Sequence, residues 1–342
     1  MHEPNYFRAV IHSMLSRLNF TAIALTLLTM LTACEQEITI DMPVSERKIV
    51  VEGSIFPGSF PLVMLTWTQG YFNPTDLSSL QNLFVHDANV SITVDGVSHN
   101  LAELCSSDLT PEQLEIAASA LGVSAASLQA LDLCIYTSFE LQGEENKTYQ
   151  IEINKDSHRV TGETKIPGLV YLDTVYFDFL NPLAQDSLGV LYGKLTDPDT
   201  TGNAYRWFAK RISHYPSWVP DAALRGQQKD LGYIAPFGSV YDDTFFNGLS
   251  FEFVYPRGLE SNSQKFDDNN DERGYFKVGD TVAIRGSSID RAAFKFVKSM
   301  EAQIGNQGSP FATPFNLESN MQGGLGAFIG YGAIYDTIIC DE

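Results

Sequence analysis

The stretch Asn89-Val90-Ser91-Ile92-Thr93-Val94-Asp95-Gly96 decides the class of fold. Val90, Ile92 and Val94 fall on one side of an extended chain and Ser91 and Thr93 on the other, because strand side chains alternate with a period of two. Asp95-Gly96 then supplies a tight hairpin turn. The same pattern recurs outward in both directions. Lys48 followed by IVVEGS reads as a buried strand, and Pro61 followed by LVMLTWT as another. Tyr149, Ile151 and Ile153 share a face opposite Gln150 and Glu152. His158 with RVTGETKIP is predicted to be the last strand of this half, and Pro167-Gly168 marks a boundary.

One segment breaks the β pattern. Thr110-Pro111-Glu112-Gln113 has a capping Thr, Pro at the first helical position and Gln three residues after the cap. A helix is predicted to about Leu121, ended by Gly122, and Ser124 opens a second helix to about Leu131. Beyond Cys34 the chain has Cys105, Cys134 and Cys340. Three thiols allow three single pairs. Cys105–Cys134 is the pair expected, because these two bracket the helical insert; the alternative is three reduced, buried thiols. A bridge closing such a loop contributes ~3–4 kcal/mol by the chain-entropy argument.

After residue 168 the strand signals resume. Val175, Phe177 and Phe179 share a face, Gly189 opens VLYGKLTDPD, and Ala204 opens YRWFAKRIS. A long loop carries Tyr215, Trp218, Tyr233 and Phe237 among Pro216, Pro220, Pro236 and, later, Pro256. These aromatics either form a partner or ligand surface or cover the end of a β-sandwich core. Asn247-Gly248 is a turn, followed by alternating Phe251, Phe253 and Tyr255. Val282 and Ile284 belong to a further strand. Ser288 is predicted to cap a helix with Ile289, Ala292, Ala293, Phe296, Val297 and Met300 on one stripe. Gly323-Gly324-Leu325-Gly326 either lets backbone pass where side chains would clash or supplies positive φ, ahead of a final strand AFIGYG from Ala327.

The N-terminus reads as a processing signal. Arg8 and Arg17 precede an uncharged run from Phe20 to Ala33. That run falls short of the about 20 apolar residues a bilayer needs. It ends in Leu31-Thr32-Ala33-Cys34, the order a lipoprotein signal peptidase requires. A start at Met14 would give a more usual n-region and the same mature chain. Residues 1–33 are therefore expected to be removed, Cys34 to be lipidated, and 34–45 to form a tether. Two or more acyl chains hold a protein stably where one does not. Glu35, Gln36 and Glu37 resemble an export signal for the outer leaflet, which favours the cell exterior over a periplasm-facing anchor.

Loss of Arg8, Arg17 and Glu3 takes the net charge from −20 to −21. So acidic a chain does not bind nucleic acid or anionic phospholipid through charge. The four histidines left, His86, His99, His158 and His214, have no helical metal spacing, and the chain lacks HExxH, GxSxG, P-loop and GxGxxG motifs. No enzyme is expected. Asp267, Asn269 and Asp271 alternate as in a calcium loop. Glu272 stands where that loop needs Gly, and Val278 where it needs the closing Glu. A solvated charged loop is the favoured reading, with calcium the one cofactor candidate.

Several blocks carry a family likeness: Lys48-IVVEGSI, Asn89-VSITVDG, Thr164-Lys165-Ile166-Pro167, Asp197-Pro198 with Asn203, Tyr205 and Arg206, Asp243 with Phe246-Asn247-Gly248, Tyr275-FKVGDTV and Pro314-FNLESNMQGGLGAFIGYG. From the lipobox to the C-terminus the chain resembles the Bacteroidota surface lipoproteins of the domain of unknown function 4249 family. The insert beginning at Cys105 resembles an elaboration seen in part of that family. The family has no established catalytic or ligand residues. The resemblance implies a TonB-dependent β-barrel receptor as neighbour and partner, with a role analogous to that of lid lipoproteins of nutrient importers, on a different fold.

These readings together predict a mainly β protein of two β-sandwich, Ig-like domains. The first spans 46–168 with helical insert 105–134, and the second 169–342 with one helix. The expected function is that of a non-enzymatic, lipid-anchored outer-membrane lipoprotein assisting substrate capture by a TonB-dependent transporter. The alternative is a stand-alone adhesin or glycan-binding module.

Overall fold

The computed structural model describes residues 46–70, 77–179, 187–219, 221–258, 274–306 and 317–341. Besides a short helix at Leu77–Gln81, the main elements in chain order are β1 (Ile49–Ile55), β2 (Leu62–Trp67), β3 (Asn89–Val94), β4 (Val97–Cys105), α1 (Pro111–Leu121), α2 (Ala125–Leu131), β5 (Cys134–Thr137), β6 (Thr148–Lys155) and β7 (His158–Lys165). Then follow β8 (Leu172–Phe179), β9 (Leu188–Thr196), β10 (Ala204–Arg211), β11 (Val240–Asp242), β12 (Ser250–Tyr255), β13 (Phe276–Lys277), β14 (Thr281–Ile289), α3 (Arg291–Gly305), β15 (Met321–Gln322) and β16 (Leu325–Ile339). The protein is mainly β, as the alternating patterns predict. Asp95 and Gly96 both take positive φ at the β3–β4 turn, as the hairpin reading requires.

Twelve strands form one sheet in the order β11-β10-β14-β16-β1-β2-β5-β4-β3-β6-β7-β15. Strands β8, β9, β12 and β13 form a second, four-stranded sheet. Ile49, Val51, Ile55, Val63 and Leu65 of β1 and β2 share one core with Val90, Ile92, Ile151, Ile153 and Val160 of β3, β6 and β7. The first half of the large sheet therefore folds back over its own apolar face. Each such buried aliphatic side chain contributes roughly 1.5–3 kcal/mol.

The last strand enters this first half. β16 runs parallel to β1, with Val51 beside Gly326 and Gly53 beside Phe328. Phe328 and Met321 belong to the first core. The sheet thus crosses the border expected at 168/169, and Glu46–Glu342 forms one compact unit by contacts. The second half adds apolar cores of its own. Both readings of the glycine run hold. Gly326 has φ +86°, and a Cβ there would lie 2.0 Å from the Val51 carbonyl oxygen. Gly323 has φ +79°, and a Cβ there would lie 2.3 Å from the Arg159 carbonyl oxygen.

In the second half, β10 and β14 alternate between two faces. Trp207, Ala209, Val282 and Ile284 pack against the small sheet through Leu191, Tyr255 and Phe276. Ala204, Phe208 and Ile289 face α3 through Ala293, Phe294 and Val297. The helix starts later than Ser288. That residue lies in β14, opposite Tyr205 and Gly332. Asp290 is the cap, with Oδ1 accepting the Ala293 N–H at 2.8 Å. Its Oδ2 accepts from Thr164 Oγ1 at 2.7 Å and the Lys165 N–H at 2.9 Å. A carboxylate can thus cap the helix and bind β7 at once, which the Ser288 hydroxyl cannot. The buried stripe accordingly includes Ala293, Phe294 and Val297, while Ala292 is exposed. The final strand is also longer than expected, running through Ile339.

The helical insert matches its sequence signals. Thr110 and Gln113 form a reciprocal capping box, Gly122 ends α1 in the left-handed region and Ser124 caps α2. Cys105 and Cys134 face each other across the β4–β5 ladder and are joined by a disulfide. Cys340 is free and buried, its thiol pushed up to about 12 by burial. No single helix among the described residues is long and apolar enough to cross a membrane.

Candidate functional site

Two of the blocks that carry the family likeness, Asp197 to Arg206 and Asp243 to Gly248, meet in a buried polar hub. Asp197 accepts from the Tyr205 hydroxyl, from Asn203 Nδ2 at 3.4 Å and from the Gly248 N–H at 3.0 Å. Asp243 Oδ2 accepts the N–H groups of Gly202 and Asn203 at 2.7 and 2.8 Å. Both carboxylates are buried. Their hydrogen bonds hold the β9–β10 turn against the Phe246–Gly248 turn, so these residues do structural work. They edge a groove of about 460 Å³ lined by Lys165, Gly168, Thr200, Asn203, Ser288 and Arg291. The Arg291 guanidinium there already pairs with Asp242 at 2.6 Å.

A different face holds a cation with no ion-pair partner among the described residues. Strand register sets Arg285 of β14 opposite Phe208 of β10 and opposite Tyr335 of β16. Its guanidinium carbon lies 3.9 Å from the Phe208 ring centre, 4.6 Å from Tyr233, 5.0 Å from Phe56 and 5.9 Å from Tyr331. Phe56 stacks on Tyr331 at 4.9 Å, and Tyr233 and Tyr335 approach to 6.3 Å. These rings arrive from the end of β1, from β10, from the loop before β11 and from β16.

Among the described residues no carboxylate forms an ion pair with Arg285. Its Nε is buried and has no hydrogen-bond partner. Burial depresses its pKa below the ordinary guanidinium range, and Arg206 pushes it the same way. Arg206 stands on the same face, with its guanidinium 4.8 Å from the Phe208 ring and Nη1 donating to the Tyr331 hydroxyl at 3.0 Å. The neighbouring acid, Glu301 of α3, accepts from the Gly238 N–H at 3.1 Å and Ser239 Oγ at 3.4 Å. Burial raises its pKa, although Gly238, Arg206 and Ser239 oppose that.

The face therefore presents guanidinium donors against aromatic walls, in a chain of strongly negative net charge. Each ring contributes ~0.5–2 kcal/mol to holding the cation, by how dry the contact is. Among the described residues the Arg285 Nε–H finds no acceptor. The chemical complement is an oxyanion, such as a carboxylate, sulfate or phosphate, on a body that packs against rings.

The aromatic loop singled out in the sequence divides. Tyr233 joins the cage, while Tyr215 is buried with Val219 and Leu224 in a separate cluster. Trp218 and Phe237 are 74% and 61% exposed. Cys105 and Cys134 are together in the disulfide. Cys34, and the calcium candidates Asp267, Asn269 and Asp271, lie outside the described residues. Sequence reading missed Arg285 as a site residue. Its signal, an arginine alternating with Ala283 in an apolar strand, does not say that both faces of that strand are covered.

The sequence profile described as Domain of unknown function (DUF4249) matches residues 35–333, and the chain belongs to that family. No curated protein matches it in sequence. Among solved structures it is similar to a cycloalternan-degrading enzyme from Trueperella pyogenes in complex with cycloalternan. That likeness has 10% identity, covers 83% of this chain and 34% of the other, and has a TM-score of 0.22. The chain thus spans about a third of that enzyme's length, and the likeness is too low to carry an argument.

Proposed function

We propose that this family member is a lipid-anchored outer-membrane surface lipoprotein that captures a ligand, without transforming it, for a TonB-dependent transporter. The observation that carries the capture role is Arg285, a half-buried guanidinium ringed by aromatics with no acid paired to it among the described residues. A cation left without an anion in a largely dry setting costs stability. Such a cost is sustained where function uses the charge. In this reading the ligand brings the oxyanion, and Phe56, Phe208, Tyr233 and Tyr331 receive its apolar or planar part. The anchor reading rests on the lipobox at Cys34, and the family match begins one residue later.

Affinity capture from gently solubilised outer membranes tests the assembly. A large β-barrel receptor is expected with the natural chain and is lost with Cys34→Ala, which also fails to take up labelled palmitate. Repeated capture without any barrel overturns the transporter role. Exposed Trp218 and Phe237 favour a second reading, an adhesin or glycan-binding module. Deleting an adhesin leaves nutrient uptake intact, whereas deleting a transporter subunit slows it.

A further inference from the structure

A second cluster lies at the base of the helical insert. Glu103 and Cys105 alternate along β4 and so share a face, and Cys134 stands opposite Cys105 on β5. His86 comes in from the segment before β3. Its Nδ1 is 2.7 Å from Glu103 Oε1, which in turn is 3.6 Å from Cys105 Sγ. The other carboxylate oxygen, Oε2, is held by the Asp87 N–H at 2.8 Å. That bond turns Oε1 toward the sulfurs and the imidazole. One ligand atom from each of His86, Glu103, Cys105 and Cys134 lies within 4.8 Å of every other.

Tetrahedral zinc places its nitrogen, oxygen and sulfur ligands about 2.0–2.3 Å away, which puts them about 3.3–3.8 Å from one another. The four atoms here need to close by about 1 Å at their widest, while the two sulfurs separate. Two thiolates, an imidazole and a carboxylate form a donor set suited to zinc, and the Asp87 N–H supplies the outer contact that orients a ligating carboxylate. We propose that His86, Glu103, Cys105 and Cys134 are a zinc site whose oxidised, metal-free form is the disulfide.

The conversion needs a dithiol reductant. One of its thiolates attacks the Cys105–Cys134 bond, and the mixed disulfide resolves as the reductant closes its own disulfide. Two electrons pass to the protein sulfurs, which leave as thiols. Zinc(II) then displaces two protons, forms two Zn–S bonds and keeps its oxidation state. The base of the insert stays joined in both states, covalently in one and through the metal in the other. Nothing in this proposal depends on the ligand cage.

The test uses the purified full chain. A phosphine reductant opens the disulfide without oxygen and is removed, and zinc is then titrated against a chromogenic chelator. Cobalt(II) serves as spectroscopic probe. One zinc per reduced chain is expected, none per oxidised chain, with thiolate-to-cobalt charge-transfer absorption. His86→Ala and Glu103→Gln keep both cysteines, so their oxidised folds are checked first by circular dichroism. Each is expected to weaken zinc binding by at least about tenfold, whereas Cys340→Ser leaves it unchanged. A reduced chain that takes up no stoichiometric zinc overturns the proposal. So does zinc affinity indifferent to both His86→Ala and Glu103→Gln.

Discussion

Arg285 faces Phe208 directly across the β10–β14 ladder, with its guanidinium 3.9 Å from the ring centre and no acid among the described residues paired with it. The pairing shows a cation held by shape and ring quadrupoles in place of a counter-ion. Arg285→Met keeps the length and packing of the side chain and removes the charge. Desolvation relief and lost cation–π contact then oppose each other, so unfolding stability should stay within ~1 kcal/mol of the natural chain. Binding of an anionic ligand should be abolished. Urea unfolding and equilibrium binding, measured on the same preparation, separate the two effects.

Arg211 makes a contrasting case. Its Nη2 pairs with Asp230 Oδ1 at 2.7 Å, its own N–H donates to Oδ2 at 2.8 Å, and both side chains are buried. Arg257 Nη1 also approaches Asp230, at 3.6 Å. Arg211→Met leaves the buried carboxylate with a weaker partner and should cost about 3 kcal/mol. A urea midpoint equal to that of the natural chain would contradict this.

Gly326 is where the last strand meets the first. Alanine there must adopt φ +86° and overlap the Val51 carbonyl oxygen. The left-handed strain alone costs roughly 1–2 kcal/mol, and the overlap forces β1 and β16 apart. Gly326→Ala should lower the thermal midpoint sharply or abolish soluble expression. Gly202→Ala, at φ +97° with nothing within 4 Å of the new Cβ, should show the strain alone.

The Arg159 guanidinium beside Glu152, with Asn154, holds that carboxyl down to about 2 from an ordinary 4.5. The folded value lies below the unfolded one. The pair's stabilisation is therefore fully present above pH 4.5 and is lost as pH falls toward 2. Glu152→Gln should flatten the thermal midpoint across that window. The pair is exposed, so added salt should shrink the difference. An acid limb that is the same in both proteins would show that other carboxylates govern it.

Legibility differed by the range of the contacts involved. Thr110 and Gln113 cap α1 through bonds three residues apart, so four letters of sequence announce them. Asp290 is the cap of α3 partly because Thr164, 126 residues away, binds its other oxygen. Nothing near Ser288 signals that. Likewise, Arg285 is legible as a strand residue. Its loss of water depends on Phe56, Phe208, Tyr233 and Tyr331, from four separate stretches of chain.

The amino-acid sequence by itself determined the β character, the hairpin at Asp95-Gly96, the capped helical pair and the bracketing cysteines. Each of these follows from periodicity, turn stereochemistry or a short loop, all of which act within a few residues or close on one insert. Only the tertiary structure decided that β16 pairs with β1, that the sheet crosses the expected domain border and that Arg285 has aromatic rings for neighbours. Those outcomes depend on which distant strands pair and in what register. Many pairings satisfy the same alternation of side chains, and the packing of the whole sheet selects one.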